Sequence, residues 1–276
     1  MPRTARSWWT ICKSDFLGSY AADAPFGIAG YTETTYGDSF ADVYDDWYAD
    51  LDDADFMVGM VATLPSHNAR ILELGVGTGR LITQLLEQRA QFTDTIIGVD
   101  SSDAMLAVAR NRSFPSSVEL VCGDFSRTLP DGPFDAIFVG YNTLFNLPDT
   151  PALLSCLALV SERLSPAGLF HVDAVMPLPD EVGDNVTVRT MTTNEVVLSI
   201  SSHHAEEQRI TGQFVQFVHG GQTRLRPWAV RYWTPQQLDT HAASNGLALH
   251  SRHGNGSGAQ FTSSSPRHVS RYRRNG

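Results

Sequence analysis

The stretch Ile71-Leu72-Glu73-Leu74-Gly75-Val76-Gly77-Thr78-Gly79-Arg80 decides the fold. Ile71 to Leu74 is a short apolar run bounded by glycines, which reads as a strand buried in a parallel sheet. Residues 80 to 88 follow as a helix. Outward from this junction the alternation continues. Strands are expected at Thr95 to Val99, Val118 to Val121, Phe134 to Val139 and Leu169 to Val175. Helices are expected at Asp103 to Arg110 and Thr150 to Leu164, the latter stopping before Ser165-Pro166. Strands that alternate with helices imply a doubly wound α/β domain with a mostly parallel sheet.

Three glycines at a strand-to-helix junction let the backbone turn sharply and approach a ligand closely. The helix start beyond them offers free N–H groups and a partial positive charge. A GxGxxG dinucleotide loop would place a small residue at position 80, where this chain has Arg80. Glu73, just before the first glycine, would repel a pyrophosphate but attract a cationic amino acid group. The charge logic therefore favours S-adenosylmethionine over a nicotinamide dinucleotide. Asp100 ends the second strand, where a carboxylate can accept from both ribose hydroxyls, although dinucleotide folds place an acid there too. Gly123-Asp124-Phe125 ends the third strand. Asp124 can accept from an adenine amino group and Phe125 can pack on the ring.

Upstream, Ser39 to about Ala62 reads as one helix. Phe40, Val43, Tyr44, Trp47, Tyr48 and Leu51 recur at spacings of three and four. Asp42, Asp45, Asp46, Asp50, Asp52 and Asp53 are expected to form its solvated acidic face. Residues 1–35 carry Trp8, Trp9, Phe16, Tyr20, Phe26 and Tyr31 among Gly, Ala and Pro, and read as an aromatic arm or lid. After Pro177 the pattern changes to residues 185–191, 195–203, 208–219 and 223–233, all strand-like, with Gly220-Gly221 as a tight turn. These form an expected antiparallel insert. Thr234-Pro235 opens a helix that Gly246 ends. Strands at about 247–253 and 267–273 complete the main sheet. The expected division is residues 1–35 as the arm, 36–177 with 234–276 as the cofactor-binding α/β domain, and 178–233 as a substrate-binding insert.

The chain has 276 residues and a formal net charge of -10, with a hydrophobic fraction of 42%. That supports a full core and argues against a protein that grips phosphate backbones. The basic tail from Arg267 to Arg274 is short and reads as the end of a strand. Cys12, Cys122 and Cys156 are scattered and have no zinc-ligand spacing. They suit a reducing cytoplasm better than a disulfide framework. No apolar run spans a membrane and no secretory signal is evident.

The ordered set ELGVGTGR, GVDSS, CGDF and FDAIFVGYNTLF, over roughly residues 36–175, resembles the class I S-adenosylmethionine-dependent methyltransferases. The resemblance implies a Rossmann-like fold and S-adenosylhomocysteine as the spent cofactor. It implies a cofactor site made of Tyr36, Tyr44, Glu73, Gly75, Gly77, Thr78, Gly79, Arg80, Asp100, Ser101, Met105, Gly123, Asp124, Phe125, Tyr141 and Asn142. Within that set, Glu73, Gly75 and Gly77 would line the methionine portion and Met105 would sit near the adenine. Tyr141 and Asn142 would stand at the reaction centre. SFADVYDDWY, the insert and RYWTPQQL resemble small-molecule enzymes of bacterial natural-product pathways. The kin suggested are amino-sugar N,N-dimethyltransferases and glycine N-methyltransferase-like enzymes. Asn146 stands where the amino-sugar enzymes carry a histidine after the fourth strand.

Methyl transfer to a hydroxyl or an acidic carbon needs a general base, whereas an amine needs mainly alignment. Tyr141 and His219 are the catalytic candidates, with His203 and His204 also in the insert. His171, inside the fifth strand, reads as a core residue. Asp173 stands alone near the end of the fifth strand, without clustered carboxylates after the fourth and fifth strands, so no metal site is expected. The alternative reading is a methyltransferase fold reused as a cyclase that keeps the cofactor site. The partners expected are a small molecule, neither nucleic acid nor membrane, and a second copy paired through the exposed edge of the insert.

Overall fold

The computed structural model describes residues 24–49, 51, 54–176 and 182–275. Three short helices open it: α1 (Thr35–Phe40), α2 (Tyr44–Trp47) and α3 (Ala54–Val61). The doubly wound unit follows: β1 (Arg70–Leu74), α4 (Arg80–Gln88), β2 (Thr95–Asp100), α5 (Asp103–Arg110), β3 (Val118–Cys122), β4 (Phe134–Val139), α6 (Thr150–Arg163) and β5 (Leu164–Val175). A second sheet holds β6 (Gly183–Met191), β7 (Glu195–His204), β8 (Arg209–Val218) and β9 (Arg224–Arg231). The chain then returns through α7 (Pro235–Ser244), β10 (Leu247–His253) and β11 (Arg267–Arg274).

The main sheet has seven strands in the order β10-β11-β5-β4-β1-β2-β3. β1 to β5 pair in parallel, while β11 pairs antiparallel with β5 and β10 antiparallel with β11. Side chains alternate across a strand, and the core divides accordingly. Ile71, Ala136 and Phe138 face α3, α4 and α5 through Phe56, Met60, Leu81, Ile82, Leu85 and Leu106. Leu72, Leu74, Ile137 and Val139 face α6 and α7 through Leu153, Leu157, Val160, Leu238 and Ala242. Leu157 has no exposed surface, and its truncation to alanine would cost about 2–5 kcal/mol. Thr234 caps α7 in a reciprocal capping box with Gln237, and Gly246 turns out of the helix end at φ 79.

The single helix expected over Ser39 to about Ala62 is three helices instead. The apolar residues serve two different surfaces. Phe40 and Trp47 pack with Phe214 and Trp228 of the insert, whereas Phe56, Met57 and Met60 pack on the main sheet. The two groups sit on separate helices, since α2 ends at Trp47 and α3 begins at Ala54. The described aspartates of the acidic face are open to solvent, with Asp42 46% and Asp45 43% exposed, but two of them are paired. Asp42 pairs with Arg224 and Arg226, and Asp45 with Arg112. Asp50, Asp52 and Asp53 lie outside the described residues, as do residues 1–23 with Trp8, Trp9, Phe16 and Tyr20, and residues 177–181 at the entry to the insert.

The four strands of the second sheet follow the order β6-β7-β8-β9, all antiparallel. The inner face brings Val197, Phe214 and Trp228 onto Tyr36, Phe40 and Trp47. Arg226, 3% exposed, crosses that interface to the Ser39 carbonyl and the Asp42 carboxylate.

Candidate active site

At the carboxyl ends of β1, β2 and β4, where open α/β sheets bind ligands, lies a cavity of about 420 Å3. Gly75, Gly77, Asp100, Ser101, Met105, Asp124 and Phe125 line it from the sheet side. Phe26, Tyr31, Glu33, Tyr36 and Tyr44 line it from the roof, and Thr143, Asn146, Leu147, Pro148 and Asp149 from the loop after β4. A smaller chamber of about 30 Å3 shares Tyr44, Gly75, Gly77 and Thr143 with it and adds Glu73, Thr78, Arg80 and Tyr141.

The glycine loop sets the shape. Gly75 and Gly77 both have left-handed backbones, at φ 68 and 54. A Cβ on Gly75 would lie 2.2 Å from Thr143 Cγ2, so only glycine lets β1 close on the β4 loop; beside Gly77 no atom lies within 4 Å of that position. The space beside Gly77 is room for a ligand to approach the backbone. The loop is anchored from outside. Thr78 Oγ1 donates to Asp45 Oδ1 at 2.6 Å, and Arg112 donates to Asp45 Oδ2 and to the Thr78 carbonyl. These contacts tie α2, which carries Tyr44, to the loop.

Asp100 is held by its own backbone surroundings. Gly77 N–H donates to Oδ2 at 2.8 Å and Ser102 N–H to Oδ1 at 2.9 Å. Burial pushes its carboxyl above the ordinary value, against the lowering effect of those two bonds. Ser102 caps α5 by accepting from Met105 N–H, and its hydroxyl donates to Asp38. At the end of β3, Asp124 Oδ1 accepts from the Ser126 N–H and hydroxyl, and its other oxygen pairs with Arg127. Tyr31 and Tyr36 are weaker acids than free tyrosine. Burial raises Tyr31 to about 12 and Tyr36 well above its usual value, with Tyr48 and Tyr44 adding to the latter.

The cavities gather most of the expected residues and leave out a few. Asn142 lines neither space; its side-chain oxygen accepts from Val175 N–H at 2.7 Å. Gly79 caps α4, where a Cβ would strike the Phe114 ring, and Gly123 N–H donates to the Asp100 carbonyl. Neither lines a cavity. His219 is displaced furthest. It is exposed beyond the end of β8, with its N–H on the Asn194 carbonyl, and lines neither space. Phe217, which shares its strand face, is 43% exposed on the outer face of the sheet. No described histidine lines either cavity. His203 bonds to Tyr232 at 2.9 Å, His204 to Ser202, and buried His171 to Thr63, with its pKa lowered to about 3 by burial.

Sequence reasoning missed Thr143, Leu147, Pro148 and Asp149 as cavity walls; Asn146, at the position of the amino-sugar enzymes' histidine, lines the cavity with them. It also missed the arginines that hold the roof. Arg209 donates to the Phe26 carbonyl and Arg231 to the Pro148 carbonyl. Phe26 and Tyr31 belong to the aromatic arm, which signalled a roof without giving its contacts.

The residues fit S-adenosylmethionine by donor chemistry. A buried Glu73 and an Arg80 share the chamber, suited to an ammonium and a carboxylate, and the open backbone at Gly77 leads to Asp100 and Asp124. Residues 71–168 match the methyltransferase domain family. The CcbJ methyltransferase of Streptomyces caelestis is 32% identical, over 89% of this chain and 100% of that one, with a TM-score of 0.80. An S-adenosylmethionine-dependent methyltransferase of Clostridium acetobutylicum superposes with a TM-score of 0.73 at 19% identity, over 87% and 99% of the two chains. A trans-aconitate 2-methyltransferase of Deinococcus radiodurans is 36% identical over 104 residues, a stretch covering 38% of this chain and 37% of that relative. None of these supports the cyclase alternative. No described helix is long and apolar enough to cross a membrane. The chain belongs to the class I S-adenosylmethionine-dependent methyltransferases.

Proposed function

We propose that this enzyme methylates an amine nitrogen of a small molecule in natural-product biosynthesis. One observation carries the choice of acceptor: the roof and rim of the cavity combine Phe26, Tyr31 and Tyr36 with the carboxylates Glu33 and Asp149, and no histidine. Aromatic faces and carboxylates attract a cationic or amine-bearing guest. The burial that holds Tyr31 and Tyr36 as neutral phenols leaves them unsuited to act as bases near pH 7. The amine reacts as its neutral form through alignment and water exclusion, and the carboxylates face the ammonium that methylation leaves on the nitrogen.

The bound cofactor supplies a methyl group on a good sulfonium leaving group. Glu73 and Arg80 would hold its amino acid end, with Thr78 beside them. Asp100 and Ser101 would hold the ribose, and Met105, Asp124 and Phe125 the adenine. Tyr44 and Tyr141, both in the chamber lining, would close on the reacting end, and Tyr36 would shield it from water. Incubation with methyl-labelled S-adenosylmethionine and a panel of amines, phenols and alcohols tests the reading. The label should appear on nitrogen; label on oxygen alone would reject the amine assignment.

A cytoplasmic setting fits Cys122 and Cys156, which are free thiols. We also propose a homodimer through the insert and no nucleic acid partner. β6 is an edge strand, and Val186, Val188, Met191, Ile200, Phe217 and Leu225 are all at least 41% exposed. Exposed apolar surface of this kind marks protein contacts. Light scattering should give twice the 30.3 kDa chain mass, and Val188→Glu should give the monomer.

A further inference from the structure

We infer that the buried pair of Asp173 and Arg267 is a positioning device that sets Tyr141 as the wall of the amino acid chamber. The inference rests on the cofactor reading above. Asp173 sits near the end of β5 at 1% exposure, and Arg267 opens the neighbouring β11. Arg267 grips both carboxylate oxygens of Asp173 through Nε and Nη2. Such a fork fixes direction as well as charge.

What this pair holds is a strained turn. Tyr141 and Asn142 follow β4 with φ of 25 and 61, two consecutive non-glycine residues on the left-handed side. Such backbone persists only where its surroundings impose it. Asp173 holds the N–H groups of both residues. Its Oδ2 accepts from Tyr141 N–H at 3.3 Å and its carbonyl from Asn142 N–H at 3.0 Å. Asn142 reaches back to Val175 N–H on the same strand. Arg267 lies over the Tyr141 ring, 5.9 Å from its centroid. The backbone and the ring of Tyr141 are thus contacted by one ion pair, and Tyr141 lines the chamber that also holds Glu73 and Arg80. Neither Asp173 nor Arg267 lines that chamber, so both act through Tyr141.

Two probes separate positioning from general damage. S-adenosylhomocysteine carries an amino acid end, and 5′-methylthioadenosine lacks it. In the full chain, Asp173→Asn should weaken S-adenosylhomocysteine about 30-fold in calorimetry and change 5′-methylthioadenosine less than about twofold. In a Tyr141→Ala background, Asp173→Asn should add nothing further to the first loss. If Asp173→Asn does not fold, Arg267→Lys keeps the charge without the fork, and should show the same split at about fivefold. Equal weakening of both probes, no weakening of either, or additive losses in the cycle would overturn the inference. A wild-type chain that binds neither probe would instead overturn the cofactor reading.

Discussion

At the ends of β1 and β2 the site is held by its own neighbourhood. Asp100 bonds to the N–H groups of Gly77 and Ser102, 23 and 2 positions away. Over the roof the holding comes from afar. Arg209 grips the Phe26 carbonyl across 183 positions, and Arg226 grips the Ser39 carbonyl across 187. The first region is organised around charges that a ligand must meet. The second is organised around backbone carbonyls that any sequence would supply. The one can be specified by a few local residue types, and the other only by the folded arrangement of distant arginines.

Acid should separate the two regions most strongly. His171 and His268 lie in β5 and β11 of the main sheet, buried and neutral, with pKa values lowered to about 3 and about 4 from 6.5. Burial is the chief cause for each, helped by Arg271 at His171 and by Arg252 at His268. The unfolded chain therefore binds these protons first. The stability from keeping both neutral is complete above pH 6.5 and shrinks as pH falls toward 4 and then 3. At pH 5 the loss is about 2 kcal/mol for each histidine, or about 4 kcal/mol together. Urea unfolding at pH 7 and pH 5 reads it, and His171→Gln should remove about half of the difference. An unchanged slope in that variant would show that the main sheet is not the acid-sensitive region.

Asp100→Asn comes next. It keeps the size of the side chain but removes the charge that two backbone donors and the ribose would share. S-adenosylhomocysteine should bind about 100-fold more weakly in calorimetry. A loss below about threefold would mean that the ribose does not rest on this carboxylate.

Legibility in the sequence follows the same division. ELGVGTGR, Asp100 and Asp124 could be placed because strand ends and glycine turns fix where their side chains go within a few residues. The second sheet could be outlined from alternation alone, and Gly220 does turn between β8 and β9, at φ 68. The broken helix could not be read, because the surfaces that Phe40 and Phe56 pack on, the insert and the main sheet, are built by strands that come later in the chain. The same blindness hid Asp45. It reads as solvent-facing by periodicity, but Arg112 and Thr78 reach it from elements that only the fold brings near. Asp173 stood alone in sequence because its partner Arg267 comes 94 positions later.

Arg209→Gln probes the roof with a smaller expected effect. It removes the donor to Phe26 and the ion pair with Glu207, whose carboxyl Arg209 holds below its ordinary range. An amine acceptor found by labelling should show a KM about tenfold higher, with S-adenosylhomocysteine binding changed less than about threefold. Equal changes in both would erase the distinction between the two regions, because the roof would then belong to the cofactor.

His219→Ala should do least. Its side chain is exposed beyond the end of β8, where β7 begins and β8 finishes, far along the sheet from the pairing of Arg209 with Arg231. The Phe26 and Tyr31 cluster packs on Ala229, near that other end. A base must come within hydrogen-bond reach of the proton it removes, directly or through one water. Among the described residues no contact of His219 leads toward the cavity: its N–H is on Asn194, and Phe217 and Val218 beside it are exposed. Substitution should therefore leave kcat and KM within about twofold and the pH profile unchanged. A loss of 100-fold in kcat with intact S-adenosylhomocysteine binding would mean that the insert moves its far end onto the acceptor during turnover. The roof would then be a working part of the chemistry, on the same footing as the glycine loop.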